Sequence, residues 1–358
     1  MKSVVIHAGG RVTVEERPVP ALNAADDVRV KVVCSGLCGS DIPRIFHQGA
    51  HFYPITLGHE FCGQVESIGT DITDLQPGDW VACVPLQPCF TCAACQRQLW
   101  SQCPHYQFIG SRSDGGNREF ITLPRRNLFR LPSGMSAVEG AFLEPVTVSL
   151  HTLELAGGCR DKTVMVVGAG TIGLLAMQCA KALGARSVIA IDINPQRLQL
   201  AQQLGADRIF NSAECTADDI REALSAQCFD QLILETAGSP QTVELCIQLA
   251  GPRAQIGLIG TLHRDLSLSS ATFGLILRKE LQVLGSWMNY SGAWPGVEWQ
   301  QATHLFEQGK INLSALIAHQ GDAACYAKAV SALQGQPMNG KIMLDFSGTE
   351  GGNNVSGL

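Results

Sequence analysis

The sequence predicts an α/β protein: a doubly wound parallel sheet joined to a second, β-rich domain. Three observations carry that prediction. Texture changes near residue 145, from short apolar runs broken by Gly, Pro and Asp to longer strands alternating with helices. Strand–helix alternation over 146–286 is the pattern of a parallel sheet covered on both faces. A glycine-rich turn sits between the first strand of that region and its helix.

Taken in order, VVIHAGGRVTVEE, DVRVKVVCSG, EFCGQVESIG and GDWVACVP read as strands and turns of a domain spanning 1–145. From residue 146 to 286, TVMVVGAG is a buried strand and TIGLLAMQCAKALGA a helix with an apolar stripe. SVIAIDIN and NPQRLQLAQQLGA repeat that pair, and QLILETAG, AQIGLIG and LQVLGSW add three strands. Residues 287–346 are expected to return to the first domain through two amphipathic stretches, VEWQQATHLFEQGK and AACYAKAVSALQGQ, and a last strand, KIMLDF. The remainder, 347–358, is rich in Gly, Ser and Asn and reads as a disordered tail.

Bulk properties narrow the function. The 358 residues are 46% hydrophobic and 16% charged, with a net charge of −6, which gives no electrostatic reason to bind nucleic acid or an anionic membrane. No apolar run reaches the length of a membrane span, and MKSVVIHAGGRVTVEERP lacks a signal-peptide segment, so the expected location is the cytoplasm. In that reducing setting the 14 cysteines are expected as thiols or metal ligands rather than disulfides. Cys34, Cys83, Cys159, Cys179 and Cys246 read as small buried hydrophobes.

VVGAGTIG places Gly168, Gly170 and Gly173 in G-x-G-x-x-G spacing after a strand and at the opening of a helix. This is the context of a Rossmann dinucleotide site. The glycines allow a tight turn, and Thr171 and Ile172 begin the helix whose amides face a pyrophosphate. Asp192 ends the next strand, where a carboxylate accepts from ribose hydroxyls and repels a 2′-phosphate. NAD is therefore expected over NADP, with Arg197 able to moderate the preference.

Two metal sites are expected. Cys89, Cys92, Cys95 and Cys103 form C-x2-C-x2-C-x7-C. Four thiolates suit a closed structural zinc, with an iron–sulfur cluster as the chemical rival. A sparser set, Cys38 with Ser40 and Asp41 in LCGSD, His59 and Glu60 in GHEF, and Glu144 in AFLEPV, is incomplete as a shell. An incomplete shell leaves room for substrate, as in a catalytic zinc site. The choice between Glu144 and Glu60 as third ligand stays open.

GHEFCGQVESIG resembles the GHExxGxxxxxG signature of the zinc-containing medium-chain alcohol and polyol dehydrogenases. The cysteine loop is similar to their structural zinc lobe, and VVGAGTIG to their coenzyme turn. The resemblance implies a GroES-like catalytic domain with a Rossmann domain, two zinc ions per subunit, NAD, and a homodimer or homotetramer. It implies catalytic zinc on Cys38, His59 and Glu144, a proton relay at Ser40, Glu60 as an alternate ligand and Asp41 orienting His59. Within the family the polyol-phosphate branch fits best, so the implied activity is an NAD-dependent zinc polyol-phosphate dehydrogenase. Its substrate phosphate needs cations, and Arg44, His47, Arg112 and Lys279 are the candidates, with His51 nearby. The alternatives are an unphosphorylated polyol or threonine dehydrogenase and, more distantly, a non-catalytic NAD-binding protein.

Overall fold

The computed structural model describes residues 1–47, 49–224, 229–336 and 338–348. Most of the expected tail, from residue 349 on, lies outside them. The chain divides into two compact units. One comprises Met1–Glu144, Tyr290–Glu307 and Leu313–Leu358, the other Pro145–Asn289 and Gln308–Asn312.

The second unit holds a six-stranded, all-parallel sheet among the described residues. Its order is Arg208–Asn211, Ser187–Asp192, Thr163–Val167, Gln231–Glu235, Gln255–Leu258, Gln282–Gly285. Three central strands are buried along their whole length. Helices cover a sheet of this kind on both faces, so its strands read as unbroken apolar runs rather than alternating ones. Helix starts are written in the sequence. Asn194 accepts from the amides of Gln196 and Arg197 ahead of Pro195, and Thr216 with Asp219 and Ser239 with Thr242 close capping boxes. Met165, Ile189, Ile191, Ile233, Val243 and Ile256 lie at the centre of the core.

The first unit is built on a seven-stranded sheet. The long strand Asp27–Gly36 lies at its centre, antiparallel to Glu60–Ile68, to Phe120–Pro124 and to Lys341–Asp345. The last strand of the chain thus inserts beside one of the first. An amino-terminal hairpin, Lys2–Ile6 with Val12–Glu16, packs near helix Ala323–Ala332, and helix Val297–Glu307 is the other predicted amphipathic stretch. No helix among the described residues is long and apolar enough to cross a membrane.

One element departs from the expected pattern. Pro145 was a natural place for a boundary, yet helix Ala137–Leu155 runs through it. Proline removes one backbone donor from a helix interior. Here burial of Phe142, Leu143, Val146 and Leu150 along the same helix holds the segment helical. The five cysteines expected as hydrophobes are all buried, at 0–2% exposure, and burial raises the Cys34 thiol to about 12.

Candidate metal centres and dinucleotide site

The cysteine loop forms a tight cluster. Short helix Ala93–Gln96 turns Cys95 back toward Cys89 and Cys92, and the turn Trp100–Gln102 delivers Cys103. The four sulfurs lie within 4.8 Å of one another, with Cys89 to Cys95 at 4.0 Å and Cys92 to Cys103 at 3.8 Å. A disulfide would need about 2.05 Å. Tetrahedral zinc with Zn–S of about 2.3 Å sets its sulfurs roughly 3.8 Å apart, so the donor set fits one ion. A polynuclear cluster, with its cysteines outside several irons, would spread them further. The Thr91 hydroxyl, with backbone amides, holds the Cys89 thiol down to about 5, while burial and its neighbouring thiols raise Cys95 to about 12. Aromatic rings wall the loop: Phe90, Trp100 and Trp294 meet pairwise at 5.2–5.7 Å, and Trp100 Nε1 donates to Gly292 O.

The second group forms where strand Asp27–Gly36 ends and strand Glu60–Ile68 begins. Cys38, His59 and Glu60 offer ligand atoms within 4.8 Å of one another. Glu144 is not one of the three, although its charge acts on Cys38 and on Lys341. Burial raises the Cys38 thiol, and the Glu60 charge raises it further. Ser40 Oγ donates to Cys38 Sγ at 3.2 Å. Asp41 is fully buried, and its Oδ1 stands 3.8 Å from His59 Nδ1, beyond hydrogen-bond reach. Asp41 Oδ2 and His59 Nδ1 are both buried without a hydrogen-bond partner. Burial pushes the Asp41 carboxyl up, while His59 and Arg44 draw it back. A soft thiolate, an imidazole and a carboxylate converging beside orphaned polar atoms is a donor set that fits zinc.

Lys341 was not among the residues singled out in the sequence. Its Nζ donates to both oxygens of Glu60, at 2.6 and 2.8 Å, with both side chains at 2% exposure or less. Burial alone would lower the Lys341 ammonium; the charges of Glu60, Cys38 and Glu144 outweigh it and raise it. Gly36 makes room for the pair, because a Cβ there would stand 2.5 Å from Glu60 Oε2. The one available signal was a lysine opening the apolar run Ile342, Met343 and Leu344 of KIMLDF.

Of the basic candidates, only Arg44 is bonded into this group. Its Nη1 donates to Ser40 O, Ser40 Oγ and Asp41 Oδ1. His47 and His51 are exposed. Arg112 stacks on Tyr106 at 4.3 Å and bonds its hydroxyl. Lys279 belongs to the other unit, where its Nζ binds Ala250 O at the end of helix Pro240–Leu249.

In the nucleotide unit, Gly168 has a φ of +105°, and a Cβ on Gly173 would stand 1.9 Å from Gly168 O, so both positions require glycine. A Cβ on Gly170 would meet open space instead, and Gly170 caps helix Thr171–Ala182 without a side-chain bond. Uncapped amides facing open space fit an anion such as a pyrophosphate. Asp192 is buried; its Oδ2 accepts from Ala169 N at 2.6 Å and its Oδ1 from Asn194 N at 2.8 Å, with Arg197 Nη1 at 3.9 Å. The acid thus anchors the glycine turn, a task additional to the ribose contact expected of it.

Residues 24–133 match the alcohol dehydrogenase GroES-like domain and residues 171–307 the zinc-binding dehydrogenase family. The chain is 56% identical over 344 residues to galactitol 1-phosphate 5-dehydrogenase of Escherichia coli K12, covering 96% of this chain and 99% of that one. The crystal structure of galactitol-1-phosphate dehydrogenase from Escherichia coli superposes with a TM-score of 0.95 at 56% identity, over 96% of this chain and 100% of that one. A short chain alcohol dehydrogenase from Escherichia coli CFT073, complexed with NADH, superposes with a TM-score of 0.86 at 28% identity, over 97% and 99% of the two chains.

Proposed function

Since this chain belongs to the zinc-binding dehydrogenases with a GroES-like domain, and is a zinc-dependent oxidoreductase of that family, we propose that it oxidises galactitol 1-phosphate to L-tagatose 6-phosphate with NAD. The observation that carries this reading is the pairing of a complete thiolate cluster with the incomplete Cys38–His59–Glu60 group, on a chain 56% identical to a polyol-phosphate dehydrogenase.

Cys38, His59 and Glu60 would hold the reactive zinc, with Glu144 as the alternative carboxylate. Bound zinc supplies Lewis acidity toward the substrate hydroxyl, and bound NAD takes up the hydride. The chain does the rest. Ser40 Oγ, beside Cys38 Sγ, would relay the proton that leaves the substrate hydroxyl, taking it up as it passes its own proton on to solvent. Asp41, 3.8 Å from Nδ1 of His59, would orient the ring of a ligand bound through its other nitrogen once that gap closes to a hydrogen bond. Lys341 decides how much of the Glu60 carboxylate is available. At the glycine turn, Gly168, Gly170, Thr171, Ile172 and Gly173 receive the pyrophosphate, while Asp192 disfavours a 2′-phosphate. The Cys89–Cys92–Cys95–Cys103 zinc is structural.

The subunit is a homo-oligomer in this reading. Gln282–Gly285 is an edge strand of the nucleotide sheet with three of its four residues exposed, and Val283 is 45% exposed. An uncovered edge of this kind is a pairing surface.

The test is steady-state turnover of galactitol 1-phosphate, galactitol, sorbitol and threonine with NAD and NADP, together with zinc counting. Highest kcat/KM on galactitol 1-phosphate with NAD and about two zinc ions per chain is the expected outcome. Higher kcat/KM on an unphosphorylated polyol would transfer the reading to that branch. Cys38→Ser protein that loses one zinc and still turns over would sink the assignment of the reactive group.

A further inference from the structure

Arg44 is held in an unusual way for a half-buried arginine on a six-residue helix. One end of its guanidinium is committed. Nη1 reaches Ser40 O at 2.9 Å, Ser40 Oγ at 3.0 Å and Asp41 Oδ1 at 3.0 Å. The other edge, Nε and Nη2, bonds nothing among the described residues, and the side chain keeps 22% of its exposure. Its backbone is fixed as well: Tyr53 Oη donates to Arg44 O at 2.5 Å, and Gly49 N and His47 N both donate to Pro43 O. A guanidinium locked at one corner and open along one edge presents two parallel N–H donors in a set direction.

The committed corner ties the guanidinium to the reactive group. Nη1 is 3.0 Å from Ser40 Oγ, which is in turn 3.2 Å from Cys38 Sγ. On a polyol the reacting hydroxyl carbon and the phosphorylated carbon, four bonds apart, are separated by roughly 5 Å at about 1.2 Å of reach per bond. A polyol phosphate is therefore long enough to set a hydroxyl at the Cys38 group while its phosphate reaches toward Arg44.

Resting on the polyol-phosphate reading above, we infer that Arg44 determines specificity for the phosphate ester, taking two phosphate oxygens on Nε and Nη2 while Nη1 keeps Ser40 and Asp41 in place. The same residue then selects the substrate and steadies the hydroxyl beside the reacting atoms. His47, Arg112 and Lys279 are not needed for this contact.

The experiment compares kcat/KM for the polyol phosphate and for the same polyol without phosphate in wild type, Arg44→Gln and Arg44→Lys. Inorganic phosphate serves as a competitive inhibitor in each, and zinc content and melting temperature check folding. Loss of a charge-assisted bidentate contact predicts that the preference for the phosphate ester falls about 10- to 100-fold in Arg44→Gln, mainly through KM, and that the inhibition constant of phosphate rises in parallel. Arg44→Lys, which keeps the charge without the fork, falls between. A fall in kcat shared equally by both substrates, with preference and phosphate inhibition unchanged, overturns the inference and leaves Arg44 a positioning residue only. A wild-type enzyme that does not discriminate between the two substrates overturns the polyol-phosphate reading itself, whatever the variants do.

Discussion

Lys341 shows how one side chain can govern a metal group without belonging to it. A buried ammonium that satisfies both oxygens of Glu60 holds that carboxylate in place. Lys341→Met leaves the Glu60 charge unpaired, which costs about 3–5 kcal/mol of stability for a broken buried pair. Denaturant unfolding of zinc-free protein should show that loss, and added zinc should recover part of it by taking Glu60 as a ligand. At Gly36 the constraint is space. Gly36→Ala puts a methyl 2.5 Å from Glu60 Oε2, so the carboxylate must move. The expected result is loss of one zinc and of turnover, with the thiolate-bound zinc retained, read by metal analysis. The four loop cysteines were legible because soft ligands at short spacing stand out in any sequence, and Cys38 and His59 because LCGSD and GHEF offer ligand types in a stretch that resembles the family signature. Lys341 and Gly36 were not, because their role exists only once Glu60 and Lys341, 281 residues apart, end up on the two strands that flank Asp27–Gly36.

Among the elements, the cysteine loop and the glycine turn were read from local chemistry, and each carries its own test. Chelating the loop zinc, or replacing Cys95 by Ser, should unseat Trp100 from Phe90 and Trp294 and shift tryptophan emission to the red. Acid should act in the same direction, because thiolates must shed protons to bind metal and hold it less tightly as pH falls. Gly173→Ala brings a methyl within 1.9 Å of Gly168 O, so dinucleotide affinity, followed by calorimetry, should drop sharply while the zinc content stays the same. The strands were visible as apolar runs and the helices as capped stripes. Helix Ala137–Leu155 was not, because Pro145 signals a boundary locally and only the packing of its neighbours overrides that signal.

At the scale of the whole molecule, the alternation of strands and helices was enough to foresee a parallel sheet. Which edge of that sheet stays open is a matter of strand order, which no local pattern encodes. The open edge at Gln282–Gly285 follows helix Ser270–Arg278, which exposes Phe273 and Leu277. Val283→Lys places a charge on that edge and should shift sedimentation toward the monomer, with zinc content unchanged. The interleaving of the first unit has a different reach. Its Glu60 leaves the ribosome 281 residues before Lys341 does. At about 5–20 residues per second, that is a wait on the order of 15 to 55 s. Throughout that interval the nascent sheet lacks both the strand that completes it and the cation that neutralises its acid, so the reactive pocket is among the last parts of the chain to be finished during synthesis.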